Sequence, residues 1–261
     1  GEVREIDVDT LLCPTTIGAA SYYTANPYVG CLIGCSFCYA QPRVAIIRKL
    51  AGYPAIPWGR YVLAKRNAAA VLARELASQP RRPIVLSPLV SDVYQSIERR
   101  LGITRACLEV IARAEVQVFV LTRSTLVTRD IDLFGRIPGA TVGFSIPTDR
   151  DDVARAYEPR AAPVSERLRA LGELRCAGVR TVAVLQPLLP MNVEALVDRL
   201  AEVCEAIRVD VYRPPALGGA PLVRRLPTVP EVDPDQDALR ARVLEAVHRR
   251  GLQVWTSHVP L

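Results

Sequence analysis

Histidine is nearly absent from this chain: His248 and His258 are the only two among 261 residues, both far in sequence from the one cluster of cysteines. That scarcity leaves little room for a structural zinc site, which wants four Cys or His ligands. No run of about 18 apolar residues occurs, so no transmembrane helix is expected. The first ten residues, GEVREIDVDT, lack the basic and apolar regions of a secretory signal, so none is expected. Lysine is as scarce as histidine. The 33 basic residues include only Lys49 and Lys65, the rest being arginine, and the net charge is +6. The paired arginines (81–82, 99–100, 224–225, 249–250) are spread along the chain, not gathered into a patch, which gives nucleic-acid binding only weak support. There is no composition break, internal repeat or linker, so one domain is expected over 1–261, with 1–20 as an N-terminal extension.

Half of the residues are hydrophobic, enough for a globular fold with a sizeable core. Seven cysteines do not suggest a secreted disulfide scaffold. Cys107, Cys176 and Cys204 lie in helical patterns where a small buried apolar group is the ordinary reading. A reducing cytoplasm is the expected location.

The remaining concentration of chemistry is residues 26–43, NPYVGCLIGCSFCYAQPR. Cys31, Cys35 and Cys38 stand there at C-x3-C-x2-C spacing in one glycine-bearing loop. Three close thiolates repel unless a cation binds them. Three ligands and a vacancy fit a [4Fe–4S] cluster with one open iron. Zinc binding by these cysteines is the weaker alternative.

Around that loop the chain alternates. Ser21–Tyr28 reads as a strand feeding the loop, and residues 1–20 as irregular around Cys13-Pro14. Helices are expected over Val44–Leu50, Asn67–Ser78, Thr104–Ala114 (with an N-cap at its start), Arg129–Arg136, Pro163–Ala177, Val193–Ala206 and Asp235–Arg250. Strands are expected at Pro83–Ser87, Val116–Leu121, Thr141–Ile146, Val179–Leu185, Arg208–Tyr212 and Leu252–Thr256. Short apolar strands between amphipathic helices predict a parallel α/β sheet with right-handed crossovers. Periodicity does not choose between an open doubly wound sheet and a partial barrel. Residues 213–233, rich in proline, read as an irregular segment over one face.

Reactive groups of parallel α/β folds collect at the carboxyl ends of strands. That rule selects Ser87, Ser91 and Asp92, then Thr122, Arg123 and Ser124, then Ser145 and Thr148, then Gln186, then Tyr212 and Arg213. A cation among small hydroxyls suits a carboxylate-bearing ligand. Each Ser or Thr alone is as well explained by capping the next helix.

C-x3-C-x2-C followed by Tyr39 resembles the signature of the radical S-adenosylmethionine (SAM) superfamily. The wider run NPYVGC…GCSFCYA is similar to its spore photoproduct lyase branch. SDVYQSIERR…TR, VLTRSTL, FSIPTDR…YEPRAAP and LLPMN resemble further segments of that branch in order and spacing, across about residues 24–200. The resemblance implies a partial (β/α)6 TIM-like barrel with its core over 24–213, followed by an irregular loop, helix and strand over 214–261. It implies a [4Fe–4S] cluster on Cys31, Cys35 and Cys38 and a SAM site. Carried over by position, Ser91, Arg123 and Ser145 hold the methionine part of SAM, with Asp92 in polar positioning. The backbone of Tyr39 lies by the adenine, and the strand-end residue Gln186 joins the cofactor-binding set.

Two departures bear on the reaction. The lyase has a hydrogen-donating cysteine where Leu89 stands, and a tyrosine where Phe37 stands. Tyr39, Tyr94 and Cys13 are the remaining candidates for radical chemistry. The sequence shows no second cysteine cluster, and no cobalamin-binding domain is expected ahead of the barrel. The expected function is reductive cleavage of SAM to a 5′-deoxyadenosyl radical and hydrogen abstraction from an organic substrate, in small-molecule or peptide tailoring. The enzyme would be a lyase or transferase, with flavodoxin or ferredoxin as reductant. The alternatives are repair or modification of a nucleic-acid lesion, transfer of the aminocarboxypropyl group of SAM, and a non-enzymatic iron–sulfur electron carrier. Glu158 and Arg160, with Tyr94 and Gln95, read as mouth residues, solvated or facing substrate.

Overall fold

The structure is a computed structural model that describes residues 1–87, 89–212, 232–257 and 260. Arg213, His258 and nearly all of the segment 213–233 lie outside the described residues.

The chain opens with β1 (Glu2–Ile6), β2 (Cys13–Ile17) and β3 (Ala20–Thr24), then β4 (Tyr28–Val29) and helix α1 (Ala40–Leu50). Next come β5 (Tyr61–Lys65), α2 (Ala68–Ser78), β6 (Ile84–Leu86), α3 (Glu98–Leu101), α4 (Ile103–Ala114) and β7 (Val118–Thr122). A 3-10 turn (Thr125–Asp130) and α5 (Ile131–Phe134) lead to β8 (Thr141–Ser145), α6 (Asp151–Tyr157), α7 (Val164–Cys176) and β9 (Arg180–Leu185). Then follow α8 (Val193–Val203), β10 (Ala206–Val209), α9 (Gln236–Arg249) and β11 (Gln253–Val254).

In the main sheet the order is β11-β10-β9-β8-β7-β6-β3-β2. From β3 to β11 every neighbouring pair is parallel, and β2 pairs antiparallel with β3. Strand order follows chain order without reversal. Right-handed crossovers then place all the helices on one face, so the sheet curls into an open barrel and is not doubly wound. The fold is the expected partial TIM-like barrel. The cysteine loop follows β3, the first strand of the barrel but the third of the chain.

Alternation along the strands divides inside from outside. Tyr22, Val85, Phe119, Val182 and Ala206 form the inner cluster. Ile84, Leu86, Val118, Val120, Val142 and Ile207 pack outward in the large core that includes residues of α2, α4, α7, α8 and α9. On β8 the inner position is Gly143, over which Phe119, Leu121 and Val182 close; a Cβ there would lie 2.9 Å from Val182 Cγ2.

Several sequence expectations are corrected. Residues 1–20 are not irregular: β1 pairs parallel with β5, and β2 makes a hairpin with β3. Nothing in the local pattern announces β1, because its partner lies some sixty residues on. β5 was not expected; four of its five residues are buried, so it shows no alternation. The strand Ser21–Tyr28 is split at Asn26-Pro27, where Asn26 Oδ1 accepts from Tyr28 N and Nδ2 donates to Ser91 O. Thr104 is not an N-cap: left-handed Gly102 separates α3 from α4, and the Thr104 hydroxyl donates to Val93 O. The helix expected at Arg129–Arg136 is a 3-10 turn capped by Ser124, followed by one turn of α-helix. α8 stops at Val203, and the following strand starts at Ala206, two residues earlier than expected.

Candidate functional site

A cavity of about 700 Å³ opens at the carboxyl ends of the barrel strands. All three loop cysteines line it, as do Tyr39, Ser91, Asp92, Arg123, Ser145 and Gln186. The fold thus brings together every residue expected to hold metal or cofactor. Two of the three candidates for radical chemistry lie elsewhere. Cys13 is exposed on the edge strand β2. The Tyr94 hydroxyl donates to Asp130 at 2.8 Å; both are buried, and Asp130 is also paired with the partly exposed Arg105 and Arg129. Neither residue lines the cavity.

The cysteine loop is tied down from four directions. Ser91 Oγ donates to Gly30 O at 2.6 Å, and Gln95 reaches both Gly30 O and Leu32 N. Gln41 Nε2 donates to Cys35 O and Ser36 O, and Trp58 Nε1 to Cys35 O. Arg160 donates to Leu32 O and to Gly59 O. Its guanidinium wedges against Gly34 and Gly59, both at positive φ, where a Cβ would come within 2.5 and 2.4 Å of Arg160 Nη2. Neither Gly34 nor Gly59 can carry a side chain without displacing that guanidinium.

Burial raises the thiol pKa values, to about 12 for Cys31 and upward for Cys35 and Cys38. Backbone N–H groups of Asp92 and Ile33 act in the opposite sense on Cys31, and those of Ala40 and Gln41 on Cys38. Three buried thiols around one cavity need a cation to ionise. Among the described residues no three ligating groups converge closely enough for a single metal ion. The three thiols share one cavity wall, and no histidine is among its described lining residues, a donor set that fits an iron–sulfur cluster.

The SAM candidates differ in what they have to offer. Asp92 is saturated: its carboxylate accepts from Tyr94 N, Thr122 Oγ1 and Arg123 N. Ser91 is spent on the loop. Ser145 Oγ has no protein hydrogen bond among the described residues, while its carbonyl accepts from Arg167. Arg123 stands over the Phe37 ring at 5.9 Å, within cation–π reach. Its Nε donates to Glu158 at 2.5 Å, and its two Nη atoms carry no bond among the described residues. Glu158 is buried between Arg123 and Arg167, which donates to its other oxygen at 2.6 Å. Burial alone would raise the Glu158 pKa, but the two guanidinium groups outweigh it and hold the group below 4.5.

Glu158 is buried and aims Arg123, not solvated; Arg160 is exposed, as a solvated position would be, while its guanidinium grips the loop. Arg167, Trp58, Arg208 and Arg240 went unnoticed as site residues in the sequence. For Arg208 a signal existed: Ile207 and Val209 are the outward pair of β10, so Arg208 and Asp210 must face inward.

This is a cluster-and-nucleoside type of α/β barrel enzyme site, and the comparisons agree. The sequence profile of the radical SAM superfamily matches residues 25–203. The chain belongs to the radical SAM superfamily, whose enzymes use a [4Fe–4S] cluster and SAM. It is 32% identical over 190 residues to an uncharacterised protein of Methanocaldococcus jannaschii, covering 72% of this chain and 68% of that one. An uncharacterised Mycobacterium bovis protein is 29% identical over 173 residues, 64% of this chain and 50% of its own. A radical SAM Nα-GlyT isomerase of Pseudomonas phage M6 is 27% identical over 189 residues, 68% of this chain and 36% of that one. Among solved structures, spore photoproduct lyase with bound AdoMet superposes at TM-score 0.65 with 16% identity, over 98% of this chain and 82% of the lyase. SuiB of Streptococcus suis bound to SAM gives TM-score 0.58 with 12% identity, over 91% of this chain and 50% of SuiB. At such identities these two show the shared fold. No helix among the described residues is long and apolar enough to cross a membrane.

Proposed function

We propose that this chain is a radical SAM enzyme that tailors a small organic molecule or a peptide, with Cys31, Cys35 and Cys38 as cluster ligands. When bound, the cluster supplies the electron that breaks a carbon–sulfur bond of SAM. The chain's own residues do the rest. Arg123 offers its paired Nη atoms to the SAM carboxylate, a geometry suited to a bidentate contact, and Ser145 Oγ adds a hydrogen bond beside it. Tyr39 and Gln186 flank the nucleoside. Ser91 and Asp92 act indirectly, by holding the loop and the Arg123 backbone. Phe119, Leu121 and Val184 keep the inner wall apolar and exclude water. Flavodoxin or ferredoxin fits as the one-electron donor in a reducing cytoplasm.

The observation that carries this reading is the fork of Arg123, unengaged among the described residues, in the wall that also holds three thiols. The test is anaerobic reconstitution, addition of dithionite and SAM, and chromatography. 5′-Deoxyadenosine is the expected product. An intact cluster that yields none overturns the reading; 5′-methylthioadenosine in its place establishes aminocarboxypropyl transfer. Cys35→Ala should abolish the product, and turnover retained in that variant counts equally against the assignment.

A further inference from the structure

Among the described residues the cavity wall holds three guanidinium groups, and the SAM contact proposed above takes one, Arg123. The other two, Arg208 and Arg240, stand with Asp210, Asp237 and Tyr212 in the part of the wall built by β10, its extension and α9. Arg208 faces inward from β10; its Nε donates to Asp210 at 2.6 Å and its Nη1 to Ser257 O at 2.6 Å, leaving Nη2. Its charge is felt at Tyr22 of β3, where it opposes the upward push of burial on the phenol. Arg240 is held by its Nε on Val209 O at 3.0 Å. Among the described residues its two Nη atoms have no hydrogen bond, and no carboxylate lies within ion-pair distance of it. Beside these arginines the wall is apolar, with Phe119, Leu121 and Trp255.

A guanidinium anchored by Nε on a backbone carbonyl presents its fork in a fixed direction. That arrangement suits a carboxylate or phosphate far better than water. We propose that Arg240, with Arg208 beneath it, is the anion subsite for the substrate. The substrate is then a small molecule, or a chain terminus, with a carboxylate or phosphate monoester on a flat or apolar body. The body lies against Phe119, Leu121 and Trp255. The inference rests on the enzymatic reading above and deepens it. Both arginines line the cavity and form no exposed stripe, so a terminal anion reaches them where a continuous phosphodiester backbone does not.

The test is calorimetric titration of the reconstituted, SAM-saturated protein with three probes: phenyl phosphate, benzoate and neutral benzamide. SAM saturation keeps the probes off Arg123. Titration runs to about 10 mM, beyond the millimolar weak end of useful affinity. At least one anion should bind, about tenfold or more tighter than benzamide, and the tighter of the two identifies carboxylate or phosphate. Arg240→Gln should weaken that binding about tenfold or more, as expected for losing a charged hydrogen bond, with Arg240→Lys intermediate. Asp237→Asn, which removes a nearby negative charge from the exposed first turn of α9, should strengthen it about two- to threefold. No anion binding, equal binding of benzamide, or affinity unchanged in both Arg240→Gln and Asp237→Asn overturns the subsite. The dinucleotide dTpdT is titrated as a fourth probe, and binding confined to it also overturns the subsite, because the ligand is then a phosphodiester. SAM cleavage without anion binding overturns the subsite alone; anion binding without SAM cleavage overturns the reaction alone.

Discussion

Glu158 is the residue on which the proposed SAM pocket turns. It is a fully buried carboxylate between two guanidinium groups, and its removal takes the paired carboxylate from both. Glu158→Gln should cost about 3–5 kcal/mol, as for breaking a buried ion pair, measured as a shift in chemical denaturation. The pH dependence has a definite sign. The folded pKa lies below 4.5, so the stabilisation is complete above the unfolded value and lost as pH falls through the folded one. The variant should therefore lose less stability on acidification below about pH 4.5 than the parent. Arg123→Lys keeps the charge but not the fork. It should weaken SAM binding about tenfold while leaving iron content unchanged, which SAM titration and iron analysis separate.

At the level of elements, the cysteine loop has little structure of its own. Its carbonyls are occupied by Gln41 of α1, Trp58 ahead of β5, Ser91 and Gln95 ahead of α3, and Arg160 after α6. Such partners hold ligands in place before the metal arrives, and losing one typically costs 10- to 100-fold in metal affinity. Arg160→Ala should lower cluster retention by about tenfold on that scale, read as iron lost to a chelator over time. Retention equal to the parent would show that the other three grips suffice. α1 is itself pinned to β5 and the turn before it: Arg48 stacks on Tyr61 at 4.4 Å and on Tyr53 at 5.5 Å, and its Nε donates to Pro54 O.

For the whole molecule, the decisive feature is a barrel left open enough to hold a cavity of about 700 Å³. Its inner layer is filled by Phe119, Leu121 and Val182 leaning over Gly143. Gly143→Ala puts a methyl group 2.9 Å from Val182 Cγ2 and 3.2 Å from the Phe119 ring. Overpacking of that kind costs about 1–3 kcal/mol, and the melting temperature should fall by about 2–4 °C for each kcal/mol. An unchanged melting temperature would mean that the inner layer yields without strain.

The sequence by itself determined the chemistry of the cysteine loop and the alternation of strand and helix, because both are local. Thiol spacing within eight residues and apolar period along a single element need no distant partner. Strand-end reasoning also found Arg123, Ser145 and Gln186, since side chains at strand termini of a parallel sheet must face the mouth. Tertiary structure alone decided the rest. Whether the sheet curls or is doubly wound depends on strand order, which no periodicity carries. β1 and β5 exist because they pair across some sixty residues. Arg160 became a site residue because the chain after α6 returns to a loop more than a hundred residues earlier, Glu158 because it meets Arg123 and Arg167, and the position of Arg240 depends on where α9 packs against β10. Long-range contact set these, and only a folded chain displays it.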